Sequence, residues 1–145
     1  MSESTEKSQP FDLGRFLDAQ EACFAQVLRE LIAGQKLSHW MWFIFPQLRG
    51  LGSSPSAQHY GLASLAEARA YLDHPVLGAR LRECTRCLLL LEGRSAAEIL
   101  GYPDELKLRS CLTLFERAAP QEELFGEALR KYYGGQPDVR TLELL

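Results

Sequence analysis

The sequence predicts an all-α fold: a single multi-helical domain of about seven to eight helices with buried central helices. Three observations carry this expectation. Apolar residues recur at spacings of three and four along most of the chain. No stretch shows sustained period-two alternation bounded by turn residues, so strands are not expected. Serine, aspartate, proline and glycine punctuate the periodic segments where helices start and stop. At 145 residues, 46% hydrophobic and 24% charged, the composition is that of one globular domain.

Met1 to Pro10 is polar, has no apolar core of the secretory kind, and reads as a disordered lead (1–10) before the helical domain (11–145). From Phe11 to Ala33 the positions Leu13, Phe16, Leu17, Phe24, Val27, Leu28 and Leu31 form one amphipathic helix, with Gly34 as a left-handed cap. Lys36 to Phe45 reads as a short second helix stopped by Pro46, because the residue before proline avoids the α region. On it Leu37, Met41 and Ile44, with Leu48 beyond, make a core face. Lys36, Trp40, Phe43 and Gln47, with His39 beside them, make another.

Arg49 to Pro55 is a loop, and Ser54-Pro55 opens a helix reaching Leu62. Ser64-x-x-Glu67 is a capping box starting a helix that ends near Asp73. Pro75 starts the next, through Leu91, with Leu77, Leu81, Cys84, Leu88 and Leu91 as its buried stripe. A second capping box, Ser95-x-x-Glu98, begins a short helix closed by Gly101. Asp104 caps a helix apolar on most sides, which is the pattern of a central element. Pro120 starts a long helix ending at Gly134, and Asp138 caps a last turn.

The chain has no apolar run of roughly 18 residues, so no membrane span is expected. A net charge of -3 argues against general nucleic-acid binding. A cytoplasmic location is expected, with Cys23, Cys84, Cys87 and Cys111 as reduced thiols. Cys84 and Cys87 have CxxC spacing but lie mid-helix, where a reactive pair is not expected, and no matching ligands complete a zinc set. No metal motif, Walker sequence, dinucleotide-binding glycine pattern or nucleophile elbow occurs, and no cofactor is expected.

The stretch Lys36 to Tyr60 stands apart. It holds Trp40, Trp42, Phe43, Phe45, Tyr60, His39 and His59. From Leu31 to Ala66 there is no aspartate or glutamate, where the chain-average density predicts about five. An acid-free aromatic segment followed by the Gly50-Leu51-Gly52-Ser53-Ser54 loop suits a flat or anionic ligand. Asp104, Lys107, Ser110 and Thr113 step by three along the apolar helix as a polar strip. If that helix is central, the lysine must be paired or line a cavity, since an unpaired buried charge is costly.

Several strings occur together: HWMWFIFPQL (39–48), GLGSS (50–54), AxxY (57–60), HPVLGxRL (74–81), DxxKLxS (104–110) and TLF (113–115). In this the chain resembles a bacterial family of unknown function made of small all-helical domains, some of whose members are labelled calpastatin. The resemblance spans about residue 11 to the C-terminus. It implies an all-α fold with buried central helices and no established activity. Relatives are expected to carry a second serine after Ser110, where this chain has Cys111. The calpastatin label is rejected on physical grounds, because an inhibitor of that type needs low hydrophobicity and high charge.

Two functional readings follow. In the first, the domain binds, and in one version processes, a small anionic aromatic ligand such as a nucleotide or ADP-ribose derivative. Lys36, His39 and Lys107 are its candidate catalytic groups, and Trp40, Trp42, Gln47, Gly52, Ser53, Tyr60, Asp104 and Ser110 its ligand-binding groups. In the second, the domain is a non-enzymatic interaction module whose exposed aromatics anchor a protein partner.

Overall fold

The computed structural model describes residues 11–145; the predicted lead over residues 1–10 falls outside them. Ten helices are formed among the described residues: α1 Gly14–Glu21, α2 Phe24–Ala33, α3 Met41–Ile44, α4 Pro55–Tyr60 and α5 Leu65–Asp73, then α6 Leu77–Leu90, α7 Ala96–Leu100, α8 Asp104–Ala118, α9 Leu124–Tyr133 and α10 Val139–Leu144. Their number exceeds the expected seven to eight because the stretch over residues 11–33 is divided in two and the last turn, Val139–Leu144, is a helix of its own. No strand occurs among the described residues. A single parallel bridge joins Leu48 to Leu62 and stitches the aromatic segment to the start of α5.

The helix apolar on most sides is central, as its pattern implied. α8 packs against α5, α7, α9 and α10. Leu108, Cys111, Leu112, Leu114 and Phe115 are fully buried, while Leu106 points outward. α6 shares α5 and α9 with it as neighbours and packs also against α2 and α3, burying Leu77, Leu81, Cys84 and Leu88. Its Gly78 allows a close crossing, since a Cβ there would lie 2.0 Å from the carbonyl oxygen of Leu72 at the end of α5.

The predicted single helix over residues 11–33 is two helices. α1 packs on α3 while α2 packs on α6, so one straight axis cannot serve both. The chain bends at Cys23, whose φ of -137° is outside the helical range. Next to the bend, buried Gln20 donates to the Phe43 carbonyl at 2.8 Å and to the Tyr71 hydroxyl at 3.0 Å.

The predicted helix from Lys36 to Phe45 shrinks to the one turn of α3. Its first residues are held elsewhere: the N–H groups of Leu37 and Ser38 donate to Glu30, and that of Lys36 to the Ile99 carbonyl at 2.7 Å. Leu37 therefore leaves the predicted core face and is 72% exposed. Likewise α6 begins at Leu77 rather than Pro75, and α9 at Leu124 rather than Pro120. Asp104 is the first residue of α8, with Pro103 in the capping position.

The local start signals held where the side chain itself makes the bond. Ser54 accepts from the Ala57 N–H, Ser64 from Glu67 and Asp138 from Thr141. At Ser95 both halves of the capping box form. Ser95→Ala is expected to lower unfolding stability by about 1 kcal/mol in urea titrations, because the Glu98 N–H loses its partner.

Candidate functional site

The segment entering α3 meets the start of α8. The Lys36 ammonium lies 2.9 Å from Asp104 Oδ2, and the Lys107 ammonium 3.1 Å from Asp104 Oδ1. One carboxylate thus bridges two lysines, and one positive charge is left over. All three side chains are largely covered, at 9% exposure for Lys36, 16% for Asp104 and 19% for Lys107. Each ammonium also sits over an indole face: Lys107 is 3.9 Å from the Trp42 ring centroid and Lys36 is 5.1 Å from that of Trp40. The negative ring faces help to hold charge that has little water around it.

A second carboxylate shapes this region from beneath. Glu30, buried on α2, accepts from the N–H groups of Leu37 at 2.8 Å and Ser38 at 3.1 Å. It also accepts from the Ser38 hydroxyl at 2.6 Å, Trp40 Nε1 at 2.8 Å and Gln26 Nε2 at 2.8 Å. Burial by itself pushes the Glu30 carboxyl upward. The hydrogen bonds from Ser38, Gln26, the Leu37 N–H and Trp40 outweigh it and hold the group at about 2. Glu30 was missed by the sequence reading. The available signal was the acid-free window itself, because such a run of donors needs an acceptor from outside, and Glu30 is the residue immediately before it.

The two tryptophans have different fates. Trp40 is 1% exposed, with its N–H committed to Glu30, so its ring is closed to a ligand or partner. Trp42 is half-buried. The predicted pair of exposed indole anchors is therefore not formed. Trp42 also lines a crevice with Gln47, Leu48, Gly52, Ala57 and Tyr60 that is too narrow to hold a water molecule. Tyr60 is fixed there by ring contacts with Phe43 at 5.4 Å and Phe16 at 5.9 Å.

The structure thus brings together Lys36, Asp104, Lys107 and Trp42, with Gln47, Gly52 and Tyr60 gathered at the same indole. It does not draw in the remaining candidates. His39 and Ser53 are exposed, and His39 makes no hydrogen bond or ion pair with another described residue. Ser110 is buried and its hydroxyl donates to the Leu106 carbonyl at 3.2 Å, within its own helix. Thr113 donates to the Arg109 carbonyl at 2.8 Å and accepts from the Asp138 N–H at 2.9 Å, tying α10 to α8. The polar strip therefore divides into an ionic end and a structural end.

Burial raises the thiols of Cys84 and Cys111 far above their ordinary range, which leaves them protonated and unreactive. All four cysteines are free. Among the described residues, no group of three or more histidine, cysteine, aspartate or glutamate side chains is placed to hold a metal ion. No described helix is long and apolar enough to cross a membrane.

Comparison with known proteins agrees with the resemblance found in the sequence. A family model described as "Protein of unknown function (DUF1810)" matches residues 10–145. The crystal structure of a conserved hypothetical protein from Mycobacterium tuberculosis superposes with a TM-score of 0.93 at 56% identity, covering 94% of this chain and 98% of that one. Among curated protein sequences, none matches this chain.

Proposed function

This chain belongs to the DUF1810 family of proteins of unknown function, and on that premise we propose that it binds a small anionic ligand with a flat ring at the Lys36–Asp104–Lys107–Trp42 cluster. The observation that supports this reading most is the pairing of two lysines on one carboxylate beside a half-buried indole. A structural ion pair needs one lysine, whereas the second supplies a charge that Asp104 does not neutralise. Lys36 and Lys107 hold the anion, and the ring packs against Trp42 toward Gln47 and Tyr60. Entry of a ring on that side requires the loop through Gly52 to shift, since the crevice is closed. The anion role falls to the lysines rather than to the N-terminus of α4, a helix of only six residues. Where a proton moves, Lys107 is the group in reach of the ring, and His39 lies outside the cluster.

The test is calorimetry and thermal shift with a nucleotide panel against wild type, Lys36→Ala, Lys107→Ala and His39→Ala. At a ligand concentration 100 times Kd, stabilisation of about 2.7 kcal/mol is expected for wild type. Each lysine variant is expected to bind roughly tenfold more weakly, and His39→Ala as wild type does. The reading is lost if no flat anion stabilises the wild type, or if both lysine variants bind as well as it does.

A further inference from the structure

Resting on that reading, we infer that Asp104 sets the charge of the ligand, so that the site selects a flat monoanion over a dianion carrying the same ring. Both carboxylate oxygens of Asp104 are engaged, one by each lysine, so the cluster carries a single net positive charge. The three groups keep little contact with water, at 9%, 16% and 19% exposure, and an anion joining them loses much of its hydration. Attraction to the cluster grows in proportion to ligand charge, whereas the cost of removing hydration grows as its square. With one positive charge available, the balance favours a single negative charge. A phosphate monoester brings nearly two, and the second finds no partner. A carboxylate or a phosphodiester brings one.

Three other carboxylates lie near the cluster, and none forms an ion pair with either lysine. Glu30, reached through the Trp40 indole from α2, keeps its negative charge, which five neutral donors stabilise without cancelling. It makes the surroundings less positive and adds to the preference for a single negative charge on the ligand. α7, whose Ile99 carbonyl receives the Lys36 N–H, brings Glu98, which is committed to the Ser95 N–H. Within α8 the neighbouring carboxylate is Glu105, which forms no ion pair with either lysine and acts on Tyr133 of α9, where burial and then this carboxylate push the phenol upward.

Cyclic AMP and AMP make a matched pair of probes, with one base and a monoanionic or a largely dianionic phosphate. Calorimetry on the full chain at about pH 7.5 is expected to show cyclic AMP bound roughly tenfold more tightly than AMP. Lowering the pH to about 5.5, across the second phosphate pKa near 6, turns AMP into a monoanion, and its affinity is expected to approach that of cyclic AMP. Cyclic AMP keeps its charge and reports any change in the protein itself. Asp104→Asn, checked for unchanged helical circular dichroism, raises the site to two positive charges and is expected to reverse the preference at the higher pH. The pH arm uses wild type alone and does not depend on that variant folding. If both nucleotides bind but AMP is preferred at the higher pH, or its relative affinity is flat with pH, the charge-selection inference is overturned while the binding reading stands. Binding of neither nucleotide to wild type counts against the binding reading and overturns this inference with it.

Discussion

Replacing Glu30 with alanine or glutamine is expected to lower unfolding stability by about 3 kcal/mol at neutral pH, read by urea titration. The carboxylate is 3% exposed and receives five hydrogen bonds, two of them from backbone N–H groups and one from a buried indole. Alanine leaves those donors without an acceptor, and each buried unsatisfied group costs about 1–3 kcal/mol before relaxation. Glutamine keeps the shape but loses the charge, and turns an amide toward groups that also donate. The pH dependence follows from the depressed folded-state value. Glu30 titrates at about 2 when folded and near its ordinary value of 4.5 when unfolded, so its contribution is complete above about pH 5. That contribution falls as the pH drops from there toward 2. The stability gap between wild type and Glu30→Gln should therefore narrow steadily in acid. A gap that stays constant from neutral pH to about pH 3 would mean that the charge of Glu30 contributes nothing.

Gly78→Ala is expected to be at least as costly, about 3 kcal/mol or more, with a melting temperature lower by roughly 10 °C. The added Cβ would sit 2.0 Å from the oxygen and 2.9 Å from the carbon of the Leu72 carbonyl. Both are backbone atoms, so no rotamer change relieves the clash, and α5 must separate from α6. Gly126→Ala is the control. Its Cβ meets only side-chain atoms, Arg130 Nη1 at 3.5 Å and Glu116 Cγ at 3.9 Å, inside a helix. Alanine there is expected to be neutral or to stabilise by up to about 1 kcal/mol. Equal melting temperatures for Gly78→Ala and wild type would refute the close-crossing argument.

The candidate site was legible in part. Lys36, Asp104, Lys107 and Trp42 were all named from sequence, because charge within a strongly apolar helix and aromatics within an acid-free window are both unusual enough to notice. What their pattern did not show was that Asp104 also pairs with Lys36, far from it along the chain. The window suited an anion because its own residues hold no acid, yet Asp104 and Glu30 reach it from α8 and α2. Periodicity also misassigned residues 36–40. Leu37 and Trp40 fit a helical repeat, but the Leu37 and Ser38 N–H groups found a carboxylate, and the repeat lapsed. One indole expected at a surface went into the interior as a result.

By itself the sequence determined the helical class, the start signals at Ser54, Ser64, Ser95 and Asp138, and the turn at Gly34, whose φ is 77°. These depend on bonds between residues three or four apart, or on the backbone freedom of a single glycine, and local chemistry is enough to set them. Tertiary structure alone decided the bend at Cys23, the burial of Trp40 and the bridging of two lysines by Asp104. Each of those requires a partner from a distant part of the chain, and only the packing of α2, α3 and α8 brings that partner within hydrogen-bonding distance.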